Sequence, residues 1–287
     1  MDSSLQRIFT ALNRVSPWLA GRAAHVLFTT PLKPRRLSAA EKRLAARADA
    51  KLATAQDIGF VHDGKRISAY RFGARQQPGS KRVILVHGWM SAARYMLAMV
   101  DPLIELGHEV VCIDLPAHGT SSGLRTNLVE CASALEALLS KLDGADVVVA
   151  HSFGGAVTAF TLSRLSPGAL GDNGHIVLLA SPNRLSSVTH GFSQALGMGT
   201  AGQRAFEKRL CRNIGTTLSE MDGNRMYEAI GYPLSIIHCI DDEEVSIEES
   251  RRFLELGDQA ALTELSGLGH RRILYHADAL KALVSVI

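Results

Sequence analysis

The chain has 287 residues, 46% hydrophobic, 21% charged and 6% aromatic, with 25 glycines and 9 prolines, which excludes a disordered, collagen-like or disulfide-scaffolded protein. Lys and Arg number 31 against 28 Asp and Glu, a net charge of +3 that is too small to argue for nucleic acid as a partner. The length suits one α/β core carrying an insertion.

Cys112, Cys131, Cys211 and Cys239 lie far apart with no C-x-x-C spacing, so neither a zinc site nor a redox pair is signalled. Cys112 and Cys239 fall in or beside apolar runs, as buried thiols do, and a reduced compartment is expected. No stretch approaches the eighteen or more apolar residues of a membrane span, because Arg7, Arg14, Arg22 and His25 interrupt the N-terminal region. That region also lacks a compact apolar run with a cleavage site, and a cytoplasmic location is the expectation.

Residues 1–56 are rich in Ala, Leu and Arg, with helical spacing at Leu5, Ile8, Phe9, Leu12 and Val15 and a break at Pro31-Leu32-Lys33-Pro34. They read as a helical arm packed on the domain, with an oligomer contact or a membrane-surface helix as alternatives. From residue 57 to the C-terminus the pattern is that of the main domain. Ile58–His62 and Arg66–Phe72 flank Asp63-Gly64, a hairpin signal. Apolar runs then alternate with helical patterns at residues 83–86, 110–113, 147–150, 176–179, 234–238 and 261–265. Such runs mark strands buried on both faces, and the expected core is an α/β, mostly parallel sheet with helices on both sides. Residues 183–231 interrupt the alternation and read as a small helical lid.

The richest segment is Val147-Val148-Val149-Ala150-His151-Ser152-Phe153-Gly154-Gly155, a buried strand running into a helix through a turn with small residues around a serine. A turn that tight strains the serine and lifts its hydroxyl above the sheet edge. The segment resembles the G-x-S-x-G nucleophile elbow of α/β-hydrolases, with Ala150 at the first glycine. Three further segments fall in the order that fold requires. Val83–Trp89 resembles the strand ending in His-Gly, and the resemblance implies an oxyanion hole from the backbone N–H groups of Trp89 and Phe153. Asp114-Leu115-Pro116-Ala117-His118-Gly119-Thr120-Ser121 resembles a D-x-x-G-x-G-x-S stretch and reads as scaffold, His118 being a turn histidine. Leu234–Val245 resembles h-G-x-x-D-x-x-V with Cys239 at the glycine. Counting back from Val245 selects Asp242 as the acid, with Asp241, Glu243 and Glu244 as neighbouring alternatives. Ser246-Ile247-Glu248-Glu249 reads as a capping box.

His270, in the loop after the last strand run, completes the order Ser152, Asp242, His270 that the resemblance implies for a triad, and His276 is its nearest competitor. The implied chemistry is acyl transfer to Ser152 with no metal or organic cofactor. A serine hydrolase of carboxylic esters, acting on a small-molecule acyl substrate, is the leading expectation. The same triad serves thioester hydrolysis and acyl transfer, and a non-catalytic binding protein of the same fold is the alternative of a different class. Phe192, Leu196 and Met198 in the lid suggest an apolar acyl site. Arg271 and Arg272 are either solvated arginines paired with carboxylates or, for Arg271, a contact to an anionic part of the substrate.

Overall fold

Strands covered on both faces have no side to leave polar, and the runs of Val, Ile and Leu accordingly form the middle of the structure. The structure is a computed structural model that describes residues 3–32, 39–75, 77–165 and 168–287. The strands are β1 (Gln56–Asp57), β2 (Phe60–His62), β3 (Lys65–Ile67), β4 (Ala69–Phe72), β5 (Arg82–Val86), β6 (Glu109–Ile113), β7 (Val147–His151), β8 (His175–Leu179), β9 (Leu234–Cys239) and β10 (Ala260–Leu265). Eight of them form one sheet in the order β1-β4-β6-β5-β7-β8-β9-β10. Every neighbouring pair from β6 to β10 is parallel, whereas β4 runs antiparallel to β6 and β1 antiparallel to β4.

The hairpin expected at Asp63-Gly64 is β2–β3, and both turn residues take the positive φ that a two-residue turn needs, 48° and 70°. The run expected over Arg66–Phe72 is divided. At Ser68 the chain leaves the hairpin and β4 joins the main sheet. The Ser68 N–H donates to Ser121 Oγ (2.9 Å) and its carbonyl accepts from the Asp114 N–H (2.9 Å).

The arm helices are α1 (Ser3–Val15), α2 (Pro17–Phe28) and α3 (Ala39–Leu52). Along the domain follow α4 (Val100–Glu105), α5 (Leu128–Lys141) and α6 (Phe153–Leu162). Alternate strand residues serve two cores. Ile84, Val86, Val148, Ala150, Ile176 and Leu178 pack with α5 and α6, while Val83, Leu85, Val147, Val149, Val177 and Leu179 pack on the opposite face with Leu103 of α4. After β5 the chain steps to β6 and then crosses back to β7 on β5's other side, so the direction of winding reverses at β5. The carboxyl ends of β5 and β7 therefore border the crevice in which open α/β sheets bind ligands.

Three helices, α7 (Leu185–Ala195), α8 (Thr200–Ile214) and α9 (Gly223–Ile230), stand between β8 and β9 as the lid insertion. The chain closes with α10 (Ile247–Arg251), α11 (Gly269–Arg272) and α12 (Ala277–Val286). The arm packs on the lid rather than on the sheet alone. α2 lies against α8 so closely that a Cβ on Gly21 would stand 2.6 Å from the Phe206 backbone N and 2.7 Å from Ala205 Cβ. Asn213 Nδ2 donates to His25 Nε2 (2.9 Å), and Thr10 Oγ1 donates to the Gly197 carbonyl (3.1 Å). Ser16 starts α2, its hydroxyl accepting from the Leu19 N–H, with Pro17 in the first turn. The Lys33-Pro34 part of the break expected after α2 lies outside the described residues.

Gly21→Val tests this packing. Helix propensity alone would make the substitution favourable by a few tenths of a kcal/mol. The clash with α8 should reverse the sign and cost about 1–3 kcal/mol, read as a lower urea midpoint; an unchanged or higher midpoint would mean that α2 does not hold α8.

Candidate active site

β7 runs directly into α6, and the residue between them, Ser152, has φ 51° and ψ −121°. That conformation costs a non-glycine residue about 1–3 kcal/mol and persists only where surrounding contacts impose it. Here the Ser152 N–H donates to the Leu179 carbonyl (2.9 Å), and its own carbonyl accepts from the Gly155 N–H (2.9 Å) and Ser181 Oγ (3.1 Å). The small residues beside it are required by close approach. A Cβ on Gly154 would lie 2.5 Å from the Val86 carbonyl oxygen, and one on Gly155 would lie 2.4 Å from Ser181 Oγ. Gly88, after β5, comes within 3.0 Å of Ser152 Cβ by the same measure. Tyr227 of α9 donates its hydroxyl to the Gly155 carbonyl (2.9 Å), tying the lid to this turn.

Of the four consecutive carboxylates at 241–244, Asp242 is the one paired with His270, Oδ2 to Nδ1 at 2.7 Å, with both residues buried. Asp242 Oδ2 also accepts from His238 Nε2 (3.1 Å), and Oδ1 accepts from the N–H groups of Glu244 (2.8 Å) and Val245 (2.9 Å). Burial alone would raise the carboxyl pKa, but the bonds from His238, His270 and Val245 outweigh it and hold the group well below the usual carboxylate range. The Ser250 hydroxyl on the far ring nitrogen of His238 (2.6 Å) directs Nε2–H toward Asp242. The other carboxylates are engaged elsewhere or exposed. Asp241 accepts from Cys239 Sγ and the Gly267 N–H, Glu244 pairs with Arg271 at 3.0 Å, and Glu243 is exposed.

Ser152, Trp89, Phe153 and His270 line one cavity of about 540 Å³, within the range of small-molecule sites. Nδ1 of His270 is taken by Asp242, which leaves Nε2 as its other ring nitrogen. Among the described residues no hydrogen bond joins His270 to the Ser152 hydroxyl, a contact that in empty sites is often long. Neither the Trp89 nor the Phe153 backbone N–H donates to an acceptor among the described residues. The rest of the wall is mostly apolar and comes from the sheet, the lid and the arm, including Leu178, Phe192, Leu5, Leu27 and Phe28. Phe28 packs its ring 5.0 Å from Phe192 and 5.2 Å from Phe206, and stacks at 6.4 Å on Trp89.

Three residues read from the sequence as lid or substrate contacts lie off this wall. Met198 stands at the approach to α8, its Cε against Gly202, because the turn from α7 points it toward the arm. Arg271 projects into solvent and meets the cavity only through Glu244, which lines it. Leu196 is fully buried in the core beneath the lid.

Histidines prop the loops around the site. His118 accepts from the Met90 N–H at Nε2 (3.2 Å) and donates from Nδ1 to the Pro116 carbonyl (2.9 Å). His87 accepts from the Leu115 N–H (3.0 Å) and donates to the Gly88 carbonyl (2.7 Å). His151 donates from Nε2 to the His270 carbonyl (3.0 Å) with the two rings 4.7 Å apart. Asp114 accepts from the N–H groups of Ala93 (2.8 Å) and Thr120 (2.9 Å), and a Cβ on Gly119 would fall 2.2 Å from its carboxylate. His276 caps α12. Sequence reasoning missed Glu249. Ser246 does cap α10, but the Glu249 carboxylate turns away to accept from the N–H groups of Asn183 (3.0 Å) and Arg184 (2.9 Å) and from Ser187 Oγ (2.8 Å), clamping the start of the lid.

The Alpha/beta hydrolase family matches residues 83–285. The chain belongs to that family. Membership carries hydrolase chemistry in general and leaves the bond and the substrate open. Solved structures agree on the fold at low identity. A thioesterase domain from the curacin biosynthetic pathway is 17% identical with a TM-score of 0.58, over 81% of this chain and 98% of that one. A bromoperoxidase from Bacillus anthracis is 18% identical with a TM-score of 0.60, over 81% and 99%. A serine hydrolase involved in carbazole degradation is 17% identical with a TM-score of 0.59, over 81% and 98%. No match was found among curated proteins.

Burial lowers His87 from its ordinary 6.5 to about 4, and burial together with the neighbouring His270 lowers His151 to about 3. Each unfolded histidine takes up a proton near 6.5, so the stability these two contribute is complete above pH 6.5 and is lost as pH falls toward 4 and then 3. Each should steepen the acid loss by on the order of 1 kcal/mol per pH unit. His87→Gln should therefore flatten the urea midpoint between pH 6.5 and 4, whereas an unaltered slope would show that the ring is not held neutral.

Proposed function

We propose that the protein is a serine hydrolase of carboxylic esters with apolar acyl groups, acting through Ser152, His270 and Asp242. The observation that carries this reading is the junction, at one apolar cavity, of a strained Ser152 with a histidine whose Nδ1 is fixed by a fully hydrogen-bonded carboxylate. His270 takes the Ser152 hydroxyl proton at Nε2 as the oxygen attacks the carbonyl carbon. Asp242 holds the ring tautomer and stabilises the imidazolium. The oxyanion is received by the N–H groups of Trp89 and Phe153, two donors that make no other bond among the described residues and so need no rearrangement. The protonated His270 then supplies the leaving alcohol with its proton, and water activated by the same ring releases the acid from Ser152.

The wall formed by Phe28, Phe192 and Leu178 supports an aliphatic acyl chain as the group bound. We take residues 57–287 as the catalytic domain, 183–231 as its lid and 1–56 as an arm that completes the cavity wall. The free thiols of Cys112, Cys131, Cys211 and Cys239 support a cytoplasmic location.

Labelling with a fluorophosphonate tests the nucleophile. The unmodified protein should label and Ser152→Ala should not, with p-nitrophenyl ester turnover falling by about 10⁴-fold or more; labelling that survives in Ser152→Ala would refute the assignment. Across p-nitrophenyl acetate, butyrate, hexanoate and octanoate, each buried methylene is worth up to about 0.8 kcal/mol, so kcat/KM should climb by as much as about fourfold per CH₂ until the cavity is filled. A flat or falling series would remove the apolar acyl site.

A further inference from the structure

The arm that closes the cavity also carries a surface the proposed chemistry does not use. α1 and α2 each bury one stripe and expose another. Phe9, Ala20, Gly21 and Ala24 face the protein, while Ile8 (59% exposed), Val15 (83%), Trp18 (57%), Leu19 and Val26 face solvent. Ile8 and Val15 are seven residues apart on α1, and Trp18 opens α2 directly beyond Ser16-Pro17, so the apolar groups follow one another along the arm. Exposed apolar side chains grouped in this way mark an interaction face.

The charge around them is of one sign. Residues 3–32 contain Arg7, Arg14 and Arg22 and no Asp or Glu. All three arginines are exposed, and none pairs with a carboxylate among the described residues; Arg22 instead lies over the Trp18 ring at 5.7 Å. α8, packed beside α2, adds Arg204, Lys208 and Arg212 at four-residue spacing on its exposed side, also without ion pairs among the described residues. A second copy of this face would meet like charge with like, which disfavours self-association through it. Aliphatic side chains, an interfacial tryptophan and unpaired cations together match a surface that is apolar beneath and anionic above.

We propose that this face of the arm binds the surface of an anionic phospholipid bilayer. Ile8, Val15, Trp18, Leu19 and Val26 enter the boundary between headgroups and acyl chains, and the arginines meet lipid phosphates. The helices lie in the plane of the membrane without crossing it, since no helix among the described residues is long and apolar enough to span one. Leu32 and Met90 line the cavity and are both about half exposed, and Leu32 lies four residues beyond Phe28, the last residue of α2. The inference concerns the surface alone and does not depend on Ser152 being a nucleophile.

The full chain should sediment with phosphatidylcholine vesicles containing 30 mol% phosphatidylglycerol at least tenfold more strongly than with pure phosphatidylcholine, and the excess should decline as salt is raised. Ile8→Ser/Val15→Ser/Trp18→Ser should lose at least tenfold in binding while keeping its thermal midpoint and its turnover of a soluble short-chain ester. Arg7→Gln/Arg14→Gln/Arg22→Gln, altered only at exposed positions, should lose the preference for the anionic vesicles. Brominated acyl chains should quench the fluorescence of the unmodified protein and leave Trp18→Phe less affected. Equal binding to both vesicle types, variants that bind as the unmodified chain does, or a dimer in solution that the apolar triple variant dissolves would each overturn the proposal.

Discussion

The candidate site depends first on the turn at Ser152, where a non-glycine residue is held at φ 51° between β7 and α6. A conformation that is unfavourable by itself must be imposed from outside, and the imposing contacts reach across the sheet. Gly154 brings α6 against the end of β5, Gly155 brings it against Ser181 beyond β8, and the Ser152 N–H is taken by the Leu179 carbonyl. Any side chain larger than hydrogen at Gly154 or Gly155 would separate these layers. All three contacts come from the carboxyl ends of β5 and β8, the strands on either side of β7, so the parallel order of the sheet is what brings them to the turn together.

Electrostatics around the turn follow from burial. Asp242 retains its charge in a buried position because four hydrogen bonds, from two histidines and two backbone N–H groups, replace the water it lost. His87 and His151 take the opposite course and remain neutral, each ring serving as a cross-link between loops rather than as a charge. The site is thus rigid on the sheet side. On the other side the wall is assembled from separate pieces, with Tyr227 anchoring α9 to α6, Glu249 clamping residues 183–187, and α2 fastened to α8.

The arm turns this second half into a joint structure. Phe28 is held by edge-on contacts with Phe192 and Phe206 of the lid and stacks on Trp89 beside the turn. Movement of the lid must therefore carry α2 with it or break an aromatic cluster, and whatever the outer face of the arm binds is mechanically linked to the cavity. Two helices thereby connect the protein's exterior with the interior of the apolar cleft that Ser152 lines.

Much of the fold was legible because its signals are local. A doubly buried strand must be continuously apolar, a two-residue hairpin needs residues tolerant of positive φ, and a serine flanked by small residues after such a strand announces a tight turn. The order of Ser152, Asp242 and His270 along the chain, with the family resemblance, was enough to name the candidate site. Counting back from Val245 under the resemblance pointed to Asp242 among four adjacent carboxylates, but spacing along a loop does not by itself say which side chain the loop turns inward, and the bond from Asp242 to His270 belongs to the packing. Arg271, next to His270 in the chain, and Met198, in the lid segment, illustrate the same limit in reverse, being held at the site's edge or beyond it. Phe28, His238 and Glu249 went unrecognised because their partners lie in other elements, and only the packing of the arm on the lid and of β9 beside β8 brings them to the cavity or its supports. The sequence by itself determined the strands, the strained turn and the chemistry available at it, because those depend on residue type and local periodicity. The burial and hydrogen-bond partners of Asp242 and the walls of the cavity were decided by the tertiary structure, because they depend on which distant side chains close packing brings together.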